Sequence, residues 1–142
     1  MTYFGPDILP TELDNYWKLI IPNTPPSNNI LLRLHWNARQ SLIDEWHKDI
    51  YYLVIGSGKK KFDVASLVAT IYFTEKRIRD IPNFMASLDK LCFDGLVKAG
   101  VLANDDSIHL PEITVRFRID KENPRTEIII YDIMPSAGEE PS

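Results

Sequence analysis

The sequence predicts an α+β domain in which two helices pack on one mixed four-stranded sheet. Two segments carry apolar residues at the three- and four-residue spacing of a helix, and four others have the alternation or composition of strands. Their order along the chain is β-α-β-α-β-β. The chain has 142 residues, of which 44% are hydrophobic, enough for one buried core. We therefore predict a single domain over residues 1–142.

The first strand lies between two proline-rich segments. Residues 1–15 mix prolines with acids and predict an irregular N-terminal segment. Residues 17–21 predict a short strand, and residues 22–29, rich in proline and asparagine, predict a loop. Proline stiffens such a loop and holds its polar side chains at little entropic cost, although a plain surface turn has the same composition.

The first predicted helix follows this loop. Asn37 and Gln40 have the spacing of a capping box, and apolar residues at helical spacing continue to about residue 55. The Gly-Ser-Gly stretch at 56–58 ends the helix. The lysines that follow do not match the phosphate-binding loop pattern, so we interpret this stretch as a basic connector.

The remaining strands lie in the second half of the chain. Residues 62–75 have strand composition with apolar residues on both faces, which predicts a central strand. Residues 113–119 alternate apolar with polar or basic side chains, which predicts a half-exposed strand. A turn at 121–124 predicts a hairpin with the last strand at 126–134. Residues 135–142 predict a flexible tail.

A second helix, predicted from Pro82 to about Lys98, carries an unusual polar stripe. At about 100° per residue, an amide, a hydroxyl, an ammonium and a carboxylate share one face: Asn83, Ser87, Lys90 and Asp94. The opposite, apolar face predicts burial of Phe84, Leu88, Leu91, Cys92, Gly95 and Ala99. Acids flank the helix, with Asp80 before it and Asp105 and Asp106 after it. Gly100 is suited to the positive φ that reverses a chain after a helix.

Composition limits the classes of function. The net charge of −4 gives no global attraction to nucleic acid, so any such binding requires local basic groups. These groups are Lys59, Lys60, Lys61, Arg77, Arg79, Arg116 and Arg118. The single cysteine excludes an internal disulfide. The sequence shows neither a secretory leader nor a membrane span, so we expect a cytoplasmic protein.

Three aspartates are candidate metal ligands. Asp80, Asp105 and Asp106 offer the hard carboxylate oxygens that Mg²⁺ prefers, and His109 lies close enough in sequence to assist. A structural role explains the same residues: Asp80 as a helix cap, and residues 104–107 as a turn. No zinc-ligand spacing is present, and we expect no organic cofactor.

Two motifs resemble those of the RusA-type Holliday-junction resolvases. The first is the run from Lys90 to Gly100, KLCFDGLVKAG, with an Arg-Asp pair before it and Asp105-Asp106-Ser107 after it. The second is the Pro-Pro-Ser-Asn-Asn segment at 25–29, which follows the first strand as in that family. Together the motifs place the resemblance over residues 17–134.

The resemblance implies a homodimeric, Mg²⁺-dependent endonuclease, with Mn²⁺ as a possible substitute, that nicks four-way DNA junctions in recombination and repair. It implies that Asp80 and one of Asp105 or Asp106 hold the metal ion, and that Lys90 lies by the scissile phosphate. Asp94 and Gly100 would support the site. The implied DNA contacts are Asn28, Asn29, Asn83 and the basic groups named above.

The chain departs from the family pattern at Pro82, which stands where the family has its second aspartate. Glu75 and Asp89 are candidates to replace that ligand. The alternatives are a RusA-like protein that binds branched DNA without cutting it, and an unrelated α+β interaction domain. We predict that Asp80 and one of Asp105 or Asp106 approach within about 6 Å between carboxylate oxygens. This requires that the chain doubles back tightly after Gly100, or that the helix bends or stops early.

Overall fold

The computed structural model describes residues 16–58 and 60–133, and its one mixed four-stranded sheet with helices confirms the predicted α+β class. The strands are β1 Tyr16–Ile21, β2 Ala65–Phe73, β3 Glu112–Ile119 and β4 Arg125–Asp132. The helices are α1 Asn28–Arg33, α2 Trp36–Gly56, α3 Ile81–Leu88 and α4 Asp94–Lys98, and a π-helical turn, Asp89–Phe93, joins α3 to α4. The predictions for residues 1–15, Lys59 and 135–142 concern positions outside the described residues.

The sheet has the strand order β1-β4-β2-β3. Strand β2 pairs in parallel with β3 and antiparallel with β4, and β4 pairs antiparallel with β1. Eight of the nine residues of β2 are buried, which confirms the predicted central strand, although it begins only at Ala65. Apolar side chains therefore cover both faces of β2, as a strand between two neighbours requires.

The predicted hairpin between the last two strands is wrong. Strands β3 and β4 do not pair with each other, because β2 lies between them and pairs with both. The connection after β3 therefore crosses the end of β2. Arg125 holds this crossing: its guanidinium bonds Asp120 at 2.8 Å and Glu127 at 2.6 Å and lies 3.8 Å from the Tyr72 ring centroid. A turn sequence indicates that a chain reverses, but not which strand it pairs with afterwards.

The segment predicted as a loop at 22–29 contains the start of a helix. Ser27 caps α1, since its Oγ accepts a hydrogen bond from the N–H of Ile30 at 3.3 Å. Helix α1 lies against α3, where the Asn29 N–H donates to Oδ1 of Asn83 at 3.0 Å. The contact holds the Pro-Pro-Ser-Asn-Asn segment next to the start of α3.

The predicted capping box of the long helix is also wrong. Helix α2 begins at Trp36, and its N-cap is His35, two residues before the predicted cap Asn37: Nδ1 accepts from the Asn37 N–H at 3.2 Å. Gln40 donates instead to Asp44, one turn along the helix. An imidazole nitrogen supplies the acceptor that Ser, Thr, Asp or Asn usually provides, so the usual capping signal is missing from the sequence.

The core fills the space between the sheet and helices α2, α3 and α4. The predicted apolar face of the second helix is confirmed, since all six of its residues are buried. Cys92 is fully buried there, and burial raises the pKa of its thiol far above the usual range. The thiol is therefore a neutral packing group rather than a nucleophile.

The second helix runs from Ile81 to Lys98 but is not a regular α-helix throughout. In the π-helical turn the N–H of Asp94 bonds the carbonyl of Asp89, five residues earlier. Ser87, predicted on the wet face, is completely buried, and its Oγ has no partner among the described residues. It lies one turn after Asn83, which contacts α1, a helix that the sequence did not predict.

The second helix ends in a tight reversal, as predicted for Gly100. Gly100 has φ 82°, the left-handed conformation that glycine adopts without strain. Its N–H bonds the carbonyl of Val97, and the Val101 N–H bonds the carbonyl of Leu96, both at 3.0 Å. This pair of bonds is the Schellman motif, and it turns the chain back along the helix.

Candidate functional site

Three carboxylates come together beside the π-helical turn. Asp89, Asp94 and Asp105 each place one oxygen so that the three atoms lie within 4.8 Å of one another. We call these residues the aspartate cluster. Carboxylate oxygens are the ligands of hard divalent cations, so the aspartate cluster is a group that can hold a metal ion.

The π-helical turn brings the two helical members together. In a regular α-helix, residues five apart are about 140° apart around the axis and face different directions. The i+5 hydrogen bond from Asp94 to Asp89 widens the turn by one residue and aligns these two positions. Such turns occur frequently at functional sites in helices.

The chain reversal after Gly100 supplies the third member. Phe62 and Leu102 form a parallel bridge, with hydrogen bonds of 2.8 Å from the Phe62 N–H to Val101 and 3.3 Å from the Ala103 N–H to Phe62. The bridge fixes the returning loop, and two residues later the Asp105 N–H donates to Oδ1 of Asn104 at 2.8 Å. The Asp105 carboxyl group thereby comes close to those of Asp89 and Asp94.

Burial and crowding raise the pKa of Asp89 and of Asp94. Partial burial, the hydrogen bond with Asp105 and the negative charges of Asp105 and Asp94 raise the pKa of Asp89 to about 6. Burial and the charge of Asp105 also raise the pKa of Asp94. The ammonium of Lys90 opposes both shifts without cancelling them. Asp89 and Asp94 therefore hold a proton more readily than isolated aspartates do, and a divalent cation can take the place of such a proton.

His47 of α2 contacts the π-helical turn directly. Its Nε2 lies 2.8 Å from the backbone carbonyl of Lys90, and its Nδ1 lies 3.2 Å from Nζ of Lys98. A carbonyl only accepts and an ammonium only donates, so Nε2 carries the proton and Nδ1 is the acceptor.

Asp80, a predicted metal ligand, is not a member of the aspartate cluster. It occupies the N-cap position of α3, but its side chain accepts no capping hydrogen bond. It lines a separate surface cavity, together with Asn83, Arg77, Arg79 and the Pro25–Pro26 pair. Of the predicted metal ligands, the aspartate cluster contains only Asp105. Its other two members are Asp89 and Asp94.

Asp106 holds together the turn that the sequence offered, for residues 104–107, as the alternative to a metal-binding role. Its Oδ1 accepts from the backbone N–H groups of Ile108 and His109, both at 3.0 Å, and contacts the His109 ring at 2.7 Å. Its Oδ2 accepts from Asn104 at 3.0 Å. Hydrogen bonds from His109 and Ile108 lower the pKa of Asp106. These bonds occupy the carboxylate and leave Asp105 as the member of the pair that faces the helix.

The predicted DNA-contacting residues are distributed over several surfaces. The ammonium of Lys60 lies 5.2 Å from the Phe62 ring centroid, and Lys61 is exposed. Arg77 pairs with Glu75, and Arg118 is exposed on β3, where Arg116 is half-buried. Among the amides, Asn29 is exposed, and Oδ1 of Asn28 is buried without a partner among the described residues.

Sequence reasoning missed His47 and Lys98 and gave Asp89 only as one possible replacement ligand. The signal for Asp89 was its five-residue spacing from Asp94, which predicts a shared face only once the π-helical turn is known. The signal for His47 was absent, because its partner is a backbone carbonyl 43 residues away.

No model of a known protein family matches the chain, and no curated protein matches it significantly. Among the residues that the structure describes, no helix combines the length and the apolar character needed to cross a bilayer.

Proposed function

We propose that the chain is a cytoplasmic, metal-dependent endonuclease that acts as a homodimer on branched DNA, in the manner of the RusA-type resolvases it resembles. The observation that carries the proposal is the aspartate cluster, in which three carboxylate oxygens lie within 4.8 Å of one another. The motif resemblance supplies the substrate class. Two equivalent active sites in a two-fold dimer suit the two equivalent strands that a junction presents.

The aspartate cluster fits Mg²⁺ by the chemistry of its donors. All three ligands are carboxylates, and no histidine or thiolate belongs to the group, which favours Mg²⁺ or Mn²⁺ over zinc. Burial first, and then the neighbouring carboxyl groups, raise the pKa of Asp89 and of Asp94, and a divalent cation would relieve the repulsion between these groups. A bound Mg²⁺ supplies Lewis-acid polarisation of the phosphodiester and a lower pKa for the attacking water.

Residues of this chain have distinct roles around the aspartate cluster. Lys90 is exposed, and its charge acts on Asp89 and Asp94, so it is placed to stabilise negative charge that develops on the phosphate. His47 holds the backbone of the π-helical turn and thereby orients Asp89 and Asp94. Asp105 approaches from the loop and completes the group.

The basic residues provide DNA affinity in this proposal. Lys60, Lys61, Arg77 and Arg118 are accessible or partly accessible for phosphate contacts. Because the chain carries a net charge of −4, DNA binding depends on these local groups and falls steeply with added salt. Arg77 and Arg79, which line the same cavity, are the pair whose joint replacement tests this contribution.

The second candidate function is binding of branched DNA without cleavage. Pro82 in the first turn of α3 favours it, since proline offers no side-chain ligand where the resembled family has an aspartate. A nuclease and a binder of this kind share the DNA-binding surface. They differ in whether the aspartate cluster supports Mg²⁺-dependent hydrolysis.

A labelled four-way junction distinguishes the two functions. The purified protein is incubated with the junction in Mg²⁺, in Mn²⁺ and in EDTA, and nicked products are resolved on denaturing gels. We expect cleavage only with metal, at least 100-fold loss for Asp105→Asn and Lys90→Ala, and unchanged binding by both variants. Glu45→Gln, at an exposed position on α2, is the matched control.

Absent cleavage with intact junction binding would show that the protein is a binder, and cleavage that persists in EDTA would contradict the metal-dependent mechanism. If the unmodified protein does not bind the junction at low salt, both functions are excluded and an unrelated interaction domain is favoured. Asp106→Asn serves as the internal comparison, because that carboxylate is occupied by its own turn. We expect Asp106→Asn to lower the melting temperature and to leave the metal affinity nearly unchanged.

A further inference from the structure

Strand β3 is an edge of the sheet, since among the described residues it pairs only with β2. Its eight residues include neither proline nor lysine, the residues that commonly protect an edge strand from further pairing. The other edge strand, β1, has six residues, carries Lys18 and is followed by Pro22. Of the two edges, β3 is therefore the one suited to receive another strand.

The backbone of β3 directs alternate residues away from β2. The Asp120 N–H, directly after β3, donates to the Phe73 carbonyl at 2.8 Å and so faces β2. Because backbone polar groups alternate in direction along a strand, those of Val115 and Phe117 face the free edge. The Phe117 carbonyl fits this direction, since it accepts from the guanidinium of its own neighbour Arg118 at 2.8 Å. The edge thus offers donors and acceptors that β2 does not use.

An apolar groove of about 390 Å³ opens between α3 and this edge. Its lining residues are Pro82, Met85, Ala86, Asp89, Phe93 and Ile113. Ile81 at the start of α3 and Ile119 at the end of β3 are also exposed. Apolar surface next to a strand with unpaired backbone groups is the composition of a protein interface that extends a sheet.

We propose that β3 pairs antiparallel with β3 of a second copy about a two-fold axis at Val115, which joins two four-stranded sheets into one. The inference rests on the proposed function, because it gives the homodimer of that proposal its interface. An axis normal to the sheet leaves the helices of both copies, and with them both aspartate clusters, on one face. Two sites on one face suit a junction in which one dimer cuts two strands.

Opposite charges on β3 match in this arrangement. With the axis at Val115, Glu112 of each copy lies directly opposite Arg118 of the other. Both lie on the face of the sheet opposite to that of Phe117, which packs on Phe84 of α3. Neither Glu112 nor Arg118 has an ion-pair partner among the residues that the structure describes. Two copies therefore form two cross-strand pairs that a single copy lacks.

Neighbouring registers are poorer. An axis at Arg116 places this arginine opposite itself, and like charges directly opposite one another destabilise a strand pair. An axis at Thr114 pairs residues 112–116 of each strand, whereas the axis at Val115 pairs residues 112–118. In the proposed register Arg118 serves the interface, so the phosphate contacts of the nuclease fall to the other basic residues.

Charge reversal tests the interface and its register together. Glu112→Arg places arginine opposite arginine at both pairs, and Arg118→Glu places glutamate opposite glutamate. We expect each variant alone to raise the dimer dissociation constant about tenfold or more, measured by analytical ultracentrifugation. An equimolar mixture of the two variants restores opposite charges at both pairs. We expect this mixture to form heterodimers with the affinity of the parent homodimer.

The control mixture combines Glu45→Arg with Lys48→Glu, two exposed positions on α2 with the same changes of charge. We expect both control variants to dimerise like the parent, alone and mixed. Amide hydrogen exchange gives a second measurement that needs no variant. The Val115 N–H should exchange slowly at concentrations where the parent is dimeric and quickly after dilution to the monomer.

Three results would overturn this interface: a parent that is monomeric at every concentration, dimers that both charge reversals leave intact, or a mixture that does not recover dimerisation. Junction cleavage is a separate measurement. A nuclease whose dimer ignores both reversals would keep the proposed function and lose the β3 interface. A dimer that shows the expected charge pattern would support the interface even if the junction is not cleaved.

Discussion

His47 donates a hydrogen bond from Nε2 to the backbone carbonyl of Lys90, at 2.8 Å, and so ties α2 to the π-helical turn. A π-helical turn leaves backbone groups without their regular partners, and the bond satisfies one carbonyl of that turn. Because Asp89 and Asp94 share a face only while the turn persists, His47 is a positioning residue for the aspartate cluster.

Replacing His47 tests this dependence. His47→Phe keeps a ring of similar size but leaves the Lys90 carbonyl unpaired, so we expect a loss of about 1–2 kcal/mol in the free energy of unfolding. We also expect the stabilisation by Mg²⁺, measured as a melting-temperature shift, to fall by half or more. Lys98→Met removes only the contact to Nδ1 and should change stability by less than about 0.5 kcal/mol. Retention of the full Mg²⁺ shift in His47→Phe would contradict the positioning role.

Gly95 makes a second prediction about the same helix contact. A Cβ at this position would lie 3.0 Å from Cδ1 of Ile50 and 3.1 Å from Cδ2 of His47. Ile50 is fully buried and both ring nitrogens of His47 are bonded, so neither neighbour can move freely. We expect Gly95→Ala to cost about 1 kcal/mol or more, because overpacking exceeds the gain in helix propensity.

Gly56→Ala is the control for Gly95, with the opposite expected sign. No atom lies within 4 Å of a Cβ built at Gly56, and the residue is part of α2. Alanine there should stabilise by about 0.5–1 kcal/mol through its helix propensity. Chemical denaturation of both variants measures the two effects, and stabilisation by both substitutions would show that the helix contact yields to a methyl group.

The fold class and the buried faces followed from the sequence because hydrophobic periodicity reports burial directly. Phe84, Leu88 and Leu91 are buried as predicted, and Gly100 reverses the chain as predicted. The strand pairing did not follow, since β3 and β4 each meet β2 and not each other. Turn residues specify a local reversal, while the neighbour of a strand is decided by long-range packing.

The candidate site was predictable only in part, for a geometric reason. From Asp80 to Lys98 a helix extends about 27 Å, whereas from Asp94 to Lys98 it extends only about 6 Å. A loop that returns within six residues of the reversal therefore reaches the middle of the helix more easily than its start. Asp105 accordingly meets Asp89 and Asp94. The π-helical turn that aligns those two residues has no known signature in a single sequence.

Arg125 should be important for the crossing over β2. Lysine keeps the positive charge but lacks the fork that reaches Asp120 and Glu127 together and the plane that stacks on Tyr72. We expect Arg125→Lys to lower the free energy of unfolding by about 1–2 kcal/mol. Arg118→Lys is the control, because Arg118 is exposed and its described side-chain hydrogen bond is to the carbonyl of Phe117. Equal stability of the two variants would mean that the crossing does not depend on the guanidinium.

The last prediction concerns the pH dependence of the aspartate cluster without metal. The pKa of Asp89 is raised from 3.8 to about 6, so between these values the folded state binds more protons than the unfolded state. Stability therefore contains a contribution from Asp89 that is present at low pH and is lost as the pH rises through about 6. Above that pH the three carboxylates repel one another.

Asp89→Asn removes one of these charges while keeping the size of the side chain. In EDTA at pH 7 we expect the variant to be more stable than the parent by about 1 kcal/mol, after allowance for solvent screening of this exposed group. The advantage should disappear near pH 4.5, where the parent is protonated. In saturating Mg²⁺ the order should reverse, since only the parent keeps all three ligands. Melting temperatures measured at both pH values, with and without Mg²⁺, give the comparison.

The opposite result would be an Asp89→Asn protein that is less stable than the parent in EDTA at pH 7. It would show that repulsion within the aspartate cluster is negligible, and the cluster would then have no reason to bind a cation.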